Sequence, residues 1–330
     1  MTGCKADPRK SRGPARKKAK HIESIDQEVS NLLEEGSLES ITKGKQLSEA
    51  NLKYQWDFYS ELAFQRNAIV AQLQDAISDS CIEDYEFESW QRALQWKYSN
   101  HPLCTIGSLK QYGGRFNIGE DVSPSNSLQT FPAFYIAQNQ DTARAEAFGS
   151  QVAGVSLTSA EVSLTKERSN SCISISGSLD RVIDLTKASS LTKFVRLMSG
   201  FSIPKHIYES AKNLNISPPT LINSPKLLLD SFMSESWRMQ PAQCDIPANS
   251  QIFGQLAYEA SIDGVLYKSS KTKKLCLAIF PSNFINGNSF MKLDDEPPEK
   301  WIIKQIDFEN FDLCNLDSTQ IRTLKKRGKS

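Results

Sequence analysis

The hydrophobic periodicity of the sequence changes near His101 and Pro102, and this change limits the fold more than any other feature. Before it, apolar residues recur at steps of three and four, as on one face of a helix. After it, short runs rich in β-branched and aromatic residues alternate irregularly with helical stretches. Irregular alternation favours an α+β fold over a regular series of strand–helix–strand units. We therefore expect a helical N-terminal region over residues 21–98, followed by a mixed β-sheet core.

Two helices are predicted in the N-terminal region. The longer one begins at Ser48, a fair N-cap, and continues to Ile77. The shorter one covers residues 87–97, where Trp90 and Leu94 fall on one face. Because aromatic stripes at helical spacing usually belong to a core, we expect these helices to form a scaffold or a docking layer.

The rest of the sequence predicts short strands separated by helices. The expected strands cover residues 131–136, 172–175, 181–185, 264–268, 275–280 and 301–306. The expected helices cover residues 141–148, 191–198, 205–212, 225–237 and 250–260. Gly177 and Ser178 lie between two of the strands and predict a tight hairpin there.

Positive charge is concentrated at the two ends of the chain. The formal net charge is only +1, so the overall balance requires neither nucleic acid nor a membrane as partner. The basic run from Lys5 to Lys20 predicts a disordered tail over residues 1–20, or a salt-sensitive contact with nucleic acid or an acidic partner. Residues 311–330 are expected to form a loose basic tail.

Seven cysteines and three histidines are scattered along the chain without C-x-x-C spacing. Their dispersion argues against a disulfide framework or a metal site, and favours reduced, buried cysteines. The sequence also has no apolar run of membrane-spanning length and no signal-peptide pattern. We expect a cytoplasmic protein without a metal and without a membrane partner.

Common nucleotide-binding and hydrolase motifs are missing from the sequence. Gly44 and Lys45 are followed by Gln46, where a Walker loop requires serine or threonine. None of the patterns G-x-G-x-x-G, G-x-S-x-G and H-E-x-x-H occurs. These findings argue against the widespread phosphate-binding and hydrolase folds.

Several polar residues lie on or beside the predicted strands. Gly113 and Gly114 allow a ligand to approach the backbone closely, and Arg115 offers a planar charged fork suited to phosphate oxygens. Taken alone, this arginine is more typical of a surface ion pair. Glu146 lies in an alanine-rich helix capped by Asn139 or Asp141, where a glutamate is normally exposed and structural.

In their order along the chain, these segments resemble the RES domain, a family named for its arginine, glutamate and serine. The shared patterns are G-G-R-[FW]-N, then Tyr-x-Ala on a strand, Ala-x-Ala-Glu in a helix, Asp-Leu-Thr at residues 184–186, and Gly-x-x-Tyr-x-Ser. The resemblance identifies Arg115, Glu146 and Ser269 as catalytic residues, with Tyr135 as the fourth pocket residue. It implies a RES-type catalytic domain over residues 99–310, with a sheet resembling that of ADP-ribosyltransferases.

The resemblance also implies a chemistry. NAD would be the substrate, no metal would be needed, and the nicotinamide–ribose bond would be cleaved by phosphorolysis or hydrolysis, with phosphate as a candidate co-substrate. Protein ADP-ribosyl transfer is the alternative acceptor chemistry, and a non-catalytic interaction protein using its basic tail is the alternative class. Many family members are toxins of toxin–antitoxin pairs, which implies a cognate antitoxin as partner; self-association through the N-terminal helices is a further expectation.

Each residue of the set has an expected role under this resemblance. Glu146 would stabilise the positive charge that develops on the ribose, and Arg115 would neutralise the diphosphate. Tyr135 would flank the nicotinamide ring, and Ser269, or alternatively Ser270, would hydrogen-bond the amide or a phosphate. The expected NAD-binding residues are Gly114, Arg115, Asn117, Tyr135, Ser269 and Ser270. Gln255 also matches a position of the family pattern.

Overall fold

The computed structural model describes residues 25–122, 129–148 and 170–327, and the predicted tail over residues 1–20 lies outside them. The described helices are α1 (Ile25–Glu34), α2 (Leu38–Ala68), α3 (Val70–Ser78), α4 (Gln140–Phe148), α5 (Thr192–Met198), α6 (Lys205–Asn213), α7 (Pro225–Phe232), α8 (Met239–Cys244), α9 (Asn249–Glu259) and α10 (Ser318–Arg327). The described strands are β1 (Cys81–Gln95), β2 (Gly113–Gly114), β3 (Asn117–Ile118), β4 (Phe134–Ala137), β5 (Asn170–Asp184), β6 (Gly264–Lys268), β7 (Leu275–Ile279), β8 (Phe290–Leu293) and β9 (Gln305–Ile306).

Seven of these strands form one sheet in the order β1-β4-β7-β6-β5-β8-β9. β5 and β6 run parallel, whereas the other neighbours are antiparallel. β1 also pairs with β5 along most of its length, so β1, β4, β7, β6 and β5 close into a ring. The expected α+β fold, with a mixed sheet and an N-terminal helical region, is confirmed.

The longest N-terminal helix starts earlier than its periodicity predicts. The chain reverses between α1 and α2 at Gly36, whose φ is +68°. The Ser37 side chain then accepts a hydrogen bond from the Ser40 amide at 3.0 Å and caps α2. The predicted cap, Ser48, lies inside α2, because residues 38–47 are largely polar and give no apolar stripe that would reveal the first turns.

The N-terminal helices pack on the helices that follow β5. Tyr54 of α2 contacts Ile207 and Ala211 of α6 in a small apolar cluster. The Gln65 side chain exchanges two hydrogen bonds of 2.8 Å with the backbone of Ser202. The expected role of this region as a scaffold or a docking layer stays a prediction.

The predicted helix over residues 87–97 is wrong, because residues 87–95 belong to β1 and a 3₁₀ turn follows over Trp96–Tyr98. The strand has a bulge between Phe87 and Trp90, where Ser89 has a φ of +56°. A bulge adds one residue to the two-residue alternation of a strand. Phe87, Trp90 and Leu94 are therefore all buried, and their spacing imitates one face of a helix. The helical region ends at Ser78.

The predicted hairpin at Gly177 and Ser178 is also wrong, since β5 runs through both residues. Gly177 pairs with Phe87 on one side and with Met291 of β8 on the other. A Cβ atom at Gly177 would lie 2.3 Å from the Phe290 carbonyl oxygen. The glycine therefore allows β8 to lie close beside β5 and does not form a turn.

Other predictions of elements hold with small changes of boundary. The strands β4, β6, β7 and β9 and the helices α4 to α7 and α9 lie where the sequence predicts strands and helices. The predicted helix over residues 225–237 ends at Phe232, and α8 follows separately. The hairpin strands β2 and β3, and β8, have no counterpart in the predictions.

The expected loose tail over residues 311–330 is wrong for its described part. A 3₁₀ turn and α10 cover most of residues 311–327. Ile321 is only 1% exposed, and the Arg322 guanidinium lies 5.0 Å from the centre of the Trp301 ring. Ile321 anchors α10 on one of the two main cores, and Arg322 is exposed.

Apolar residues form a core on each face of the ring of strands. One core lies beneath α3, α5, α7 and α9, and the other lies beneath α10 and the last strands. Tyr267 and Cys276 point into the first core, whereas Leu266 and Leu277 point into the second, as strand alternation requires. Among the described residues, no helix is long and apolar enough to cross a membrane.

Candidate active site

A cavity of about 650 Å³ opens between the β2–β3 hairpin, β4, α4, the turn after β6 and the segment between α7 and α8. The expected site residues Gly114, Arg115, Tyr135, Glu146 and Ser270 line it. These five residues come from four separate segments of the chain, which therefore meet in one place.

The β2–β3 hairpin is fixed to the sheet and to α9 by buried amides. The Asn117 side-chain oxygen accepts a hydrogen bond from the Gly114 amide at 3.0 Å. Gln251 of α9 donates to the carbonyl oxygens of Tyr112, Gly114 and Asn117 at 2.6, 3.1 and 3.0 Å. Asn117 is fully buried behind the cavity wall, so it supports the wall and does not line it.

Tyr135 lies at the centre of one wall. Its hydroxyl donates to the Asn117 side-chain oxygen at 2.8 Å and accepts from the Phe116 amide at 3.0 Å. Burial raises the pKa of Tyr135 above its ordinary value, so the phenol stays neutral at physiological pH. Because a Cβ atom at Gly114 would lie 2.4 Å from the Tyr135 hydroxyl, glycine is what lets the hairpin approach the ring.

Arg115 is buried, with 6% of its surface exposed, and most of its hydrogen bonds go to the protein. Nη1 donates to the carbonyl oxygens of Phe232 and Ser234 at 2.6 and 3.0 Å. Nη2 donates to the Ser270 hydroxyl at 3.2 Å, and Nε has no partner among the described residues. Residue type alone suggests that Arg115 forms an ion pair on the surface. The structure shows instead that Arg115 is buried and bonded to carbonyl and hydroxyl oxygens.

Glu146 and Ser269 form a direct pair. The Ser269 hydroxyl donates to the Glu146 carboxylate at 2.5 Å and accepts from the amides of Lys271 and Thr272, each at 3.1 Å. Asn139 caps the helix that carries Glu146, since its side chain accepts from the Thr142 amide at 2.9 Å. Half-buried Glu146 thus faces the cavity in an orientation that a buried hydroxyl sets.

The two serines left open by the sequence lie in different surroundings. Ser269 is fully buried behind the wall and contacts Glu146, whereas Ser270 lines the cavity and contacts Arg115. Lys271, the next residue, donates to the Ala145 carbonyl oxygen at 2.5 Å. The turn after β6 therefore connects the acidic and the basic side of the cavity.

Sequence reasoning missed several cavity residues. Trp237 and Arg238 come from a turn that carries no recognisable motif, and Arg92 lies in the stretch wrongly predicted as helical. Arg92 donates to the carbonyl oxygens of Pro102 and Cys104 at 3.1 and 2.7 Å. Its burial lowers its pKa to about 10, so it remains charged at neutral pH.

Cys276 and Tyr267 line the cavity together with Glu146. Burial, together with the nearby Glu146 carboxylate, raises the pKa of the Cys276 thiol to about 12. A thiol with so high a pKa holds almost no thiolate at neutral pH, so Cys276 is unsuited to act as a nucleophile.

Two other matches to the family pattern lie away from the cavity. Asp184 accepts a hydrogen bond from the Thr186 amide at 2.8 Å at the end of β5. Gln255 donates to Glu259 within α9 at 2.9 Å. Among the described residues, no group of three or more His, Cys, Asp or Glu side chains could hold a metal ion.

Comparison with known proteins gives one distant structural likeness. No family model and no curated protein matches the sequence. A chain in the crystal structure of the M. tuberculosis MbcT–MbcA toxin–antitoxin complex is 18% identical, with a TM-score of 0.40. The alignment covers 77% of this chain and 97% of that chain.

Proposed function

We propose that the cavity binds NAD and that the protein cleaves the nicotinamide–ribose bond, with phosphate or water as the acceptor. The observation that carries the proposal is the Glu146–Ser269 pair at the cavity wall, since a carboxylate held by a buried hydroxyl is prepared to stabilise positive charge. The ordered resemblance to the RES domain supports the same chemistry.

The cavity suits a dinucleotide in size and charge. Its volume lies within the range of roughly 300–1,000 Å³ that is common for small-molecule sites. Four basic residues, Arg92, Arg115, Arg238 and Lys271, line it against Glu146 and Glu235. The excess of positive charge favours the anionic diphosphate of NAD.

The proposed reaction follows from the positions of the side chains. As the nicotinamide–ribose bond breaks, its electron pair leaves with nicotinamide and positive charge develops on the ribose. The Glu146 carboxylate stabilises this charge, and neutral Tyr135 flanks the reacting rings. Phosphate then bonds to the ribose carbon, or water bonds to it and releases a proton.

Loss of NAD in the presence of the purified protein, with and without added phosphate, tests the proposal. We expect Glu146→Gln to lower the rate of NAD loss on the order of a hundredfold or more, because the charge that stabilises the transition state is removed. Glu209→Gln is the matched control, since Glu209 is exposed on α6 and does not line the cavity.

The products separate the acceptors. ADP-ribose phosphate formed only with added phosphate identifies phosphorolysis, and free ADP-ribose identifies hydrolysis. Label transferred from NAD to a protein would identify an ADP-ribosyltransferase instead. No NAD loss with the intact chain, or equal rates for Glu146→Gln and the unmodified protein, would contradict the proposal.

The domain arrangement and the biological role are part of the proposal. We propose a RES-type domain that begins at Cys81, whereas the sequence predicts residue 99, since β1 is a strand of the central sheet. We further propose, from the resemblance, that the protein is a toxin inhibited by a cognate antitoxin. Growth arrest on expression of this protein, relieved by co-expression of the protein that a neighbouring gene encodes, would support that role.

A further inference from the structure

The segment of residues 233–238, between α7 and α8, forms one wall of the cavity. Glu235, Trp237 and Arg238 contribute to this wall, and the sequence gives none of them a role. The side chains of Ser234 and Ser236 hydrogen-bond each other at 2.9 Å and tighten the turn locally.

Arg115 clamps this segment to the rest of the site. Its two Nη1 hydrogen bonds reach the carbonyl oxygens of Phe232 and Ser234, at the start of the segment. Its guanidinium also lies 5.6 Å from the centre of the Trp237 ring. A guanidinium has five N–H groups, and the contacts to Phe232, Ser234 and Ser270 use three of them. The buried Nε and one hydrogen of Nη2 are left for a ligand.

Arg238 differs from Arg115 because its donors are unused. Its guanidinium lies 4.9 Å from the centre of the Trp237 ring, and the side chain is exposed. No described residue accepts a hydrogen bond from it. Arg238 lines the same cavity as Tyr135, and its positive charge partly opposes the rise in the Tyr135 pKa that burial causes.

The other basic residues of the cavity are engaged elsewhere. Arg92 donates to the backbone of Pro102 and Cys104 and stacks 3.9 Å from the Phe134 ring centre. Lys271 donates to the last turns of α4. Among the described cavity residues, Arg238 therefore offers the guanidinium most available to an entering anion.

We infer that Arg238 contacts the diphosphate of the dinucleotide, and that Arg115 acts mainly as a positioning residue that holds the Trp237–Arg238 wall in place. The inference rests on the proposed function for the identity of the substrate. It assigns substrate affinity to Arg238, whereas bond cleavage stays with Glu146. A bidentate guanidinium–phosphate contact would supply affinity and orientation together.

Binding of ADP to the full-length protein, measured by calorimetry, tests the inference without requiring turnover. ADP carries the diphosphate and lacks the bond that would be cleaved. We expect Arg238→Ala to weaken ADP binding on the order of tenfold to a hundredfold, which is the loss of one charge-assisted contact. Arg238→Lys should recover part of the affinity because it keeps the charge. The control is Arg196→Ala, on an exposed face of α5 outside the cavity.

NAD kinetics give the second readout. Arg238→Ala should raise KM for NAD by a similar factor and change kcat little, since the contact is present in both ground and transition states. Unchanged KM and unchanged ADP affinity in Arg238→Ala would overturn the assignment, even if NAD is cleaved. ADP binding that depends on Arg238 in a protein that does not cleave NAD would support the diphosphate site and reject the proposed function.

The role of Arg115 is tested by a double-mutant cycle. Arg115→Lys keeps the charge but loses the fork that holds the carbonyl oxygens of Phe232 and Ser234. We expect Arg115→Lys to weaken ADP binding when it is the single substitution. When it is combined with Arg238→Ala, we expect little further loss of affinity. Equal losses in both backgrounds would show that Arg115 itself contacts the phosphate. If Arg115→Lys does not fold, Trp237→Ala replaces it in the same cycle.

Discussion

At the scale of single residues, two adjacent serines contact opposite charges. The Ser269 hydroxyl holds the Glu146 carboxylate and caps the amides of Lys271 and Thr272. The Ser270 hydroxyl accepts from Arg115. Both serines lie in the turn after β6, where side chains no longer alternate between the two faces of a sheet. Both side chains therefore reach the site, one at Glu146 and the other at Arg115.

Ser269→Ala is expected to lower kcat for NAD on the order of tenfold to a hundredfold, because Glu146 loses the hydroxyl that orients it. The free energy of unfolding should also fall by about 1–3 kcal/mol, since two amides lose their buried acceptor. Steady-state kinetics and chemical denaturation measure the two effects.

Ser270→Ala provides the comparison. It leaves the Glu146–Ser269 hydrogen bond in place and removes one acceptor of Arg115, so its effect should fall on KM more than on kcat. A larger kcat loss in Ser270→Ala than in Ser269→Ala would assign the catalytic serine to position 270.

At the scale of elements, the contact between α9 and the β2–β3 hairpin sets the shape of the site. Gln251 of α9 hydrogen-bonds three carbonyl oxygens of the hairpin region. One turn further along, Gly254 passes against the backbone of Phe116, where a Cβ atom would lie 2.1 Å from the carbonyl oxygen. The helix can approach the hairpin only because this residue has no side chain.

Gly254→Ala should therefore destabilise the protein by about 1–3 kcal/mol and reduce NAD loss, because α9 or the hairpin must move. Gly44→Ala in α2 is the matched control: its Cβ atom would meet only ordinary contacts, the nearest at 3.6 Å. Alanine there should stabilise the protein by up to about 1 kcal/mol through helix propensity. Denaturation midpoints of the two variants that move in the same direction would contradict this account.

At the scale of the whole molecule, Asp263 links three parts of the sheet. Its carboxylate accepts from the Arg181 amide and the Ser289 hydroxyl, each at 2.9 Å. Its backbone carbonyl accepts from the Phe280 amide at 2.7 Å. Burial raises the pKa of Asp263 to about 6, above its ordinary value of 3.8, although both hydrogen bonds to the carboxylate oppose the shift.

The raised pKa predicts how stability depends on pH. Because the folded state holds this proton more tightly than the unfolded state, the contribution is complete below about pH 4 and is lost as the pH rises through 6. The difference amounts to about 3 kcal/mol. Asp263→Asn can still accept both hydrogen bonds and should lose this pH dependence. Unfolding free energies of both proteins between pH 4 and 7 test it, and parallel curves would contradict it.

Several features followed from local sequence alone. The strands β6 and β7 and the helices α4 and α9 were predictable because each is short, strongly patterned and bounded by polar or small residues. The resemblance to the RES domain, which rests on the order of motifs along the chain, grouped the cavity residues Arg115, Tyr135 and Glu146. Such order reflects residue type and spacing, which a sequence displays directly.

The tertiary structure decided what depends on partners distant in the chain. Ser89 forms a bulge and Gly177 allows close packing of strands because β1 and β5 pair with each other. Local periodicity contains no record of that pairing. Arg238 likewise has no motif, and it lines the cavity next to the turn in which Arg115 hydrogen-bonds the Ser234 carbonyl oxygen. The sequence determined which chemical groups are present, whereas long-range packing determined which of them meet, since contacts between distant segments form only when the whole chain is folded.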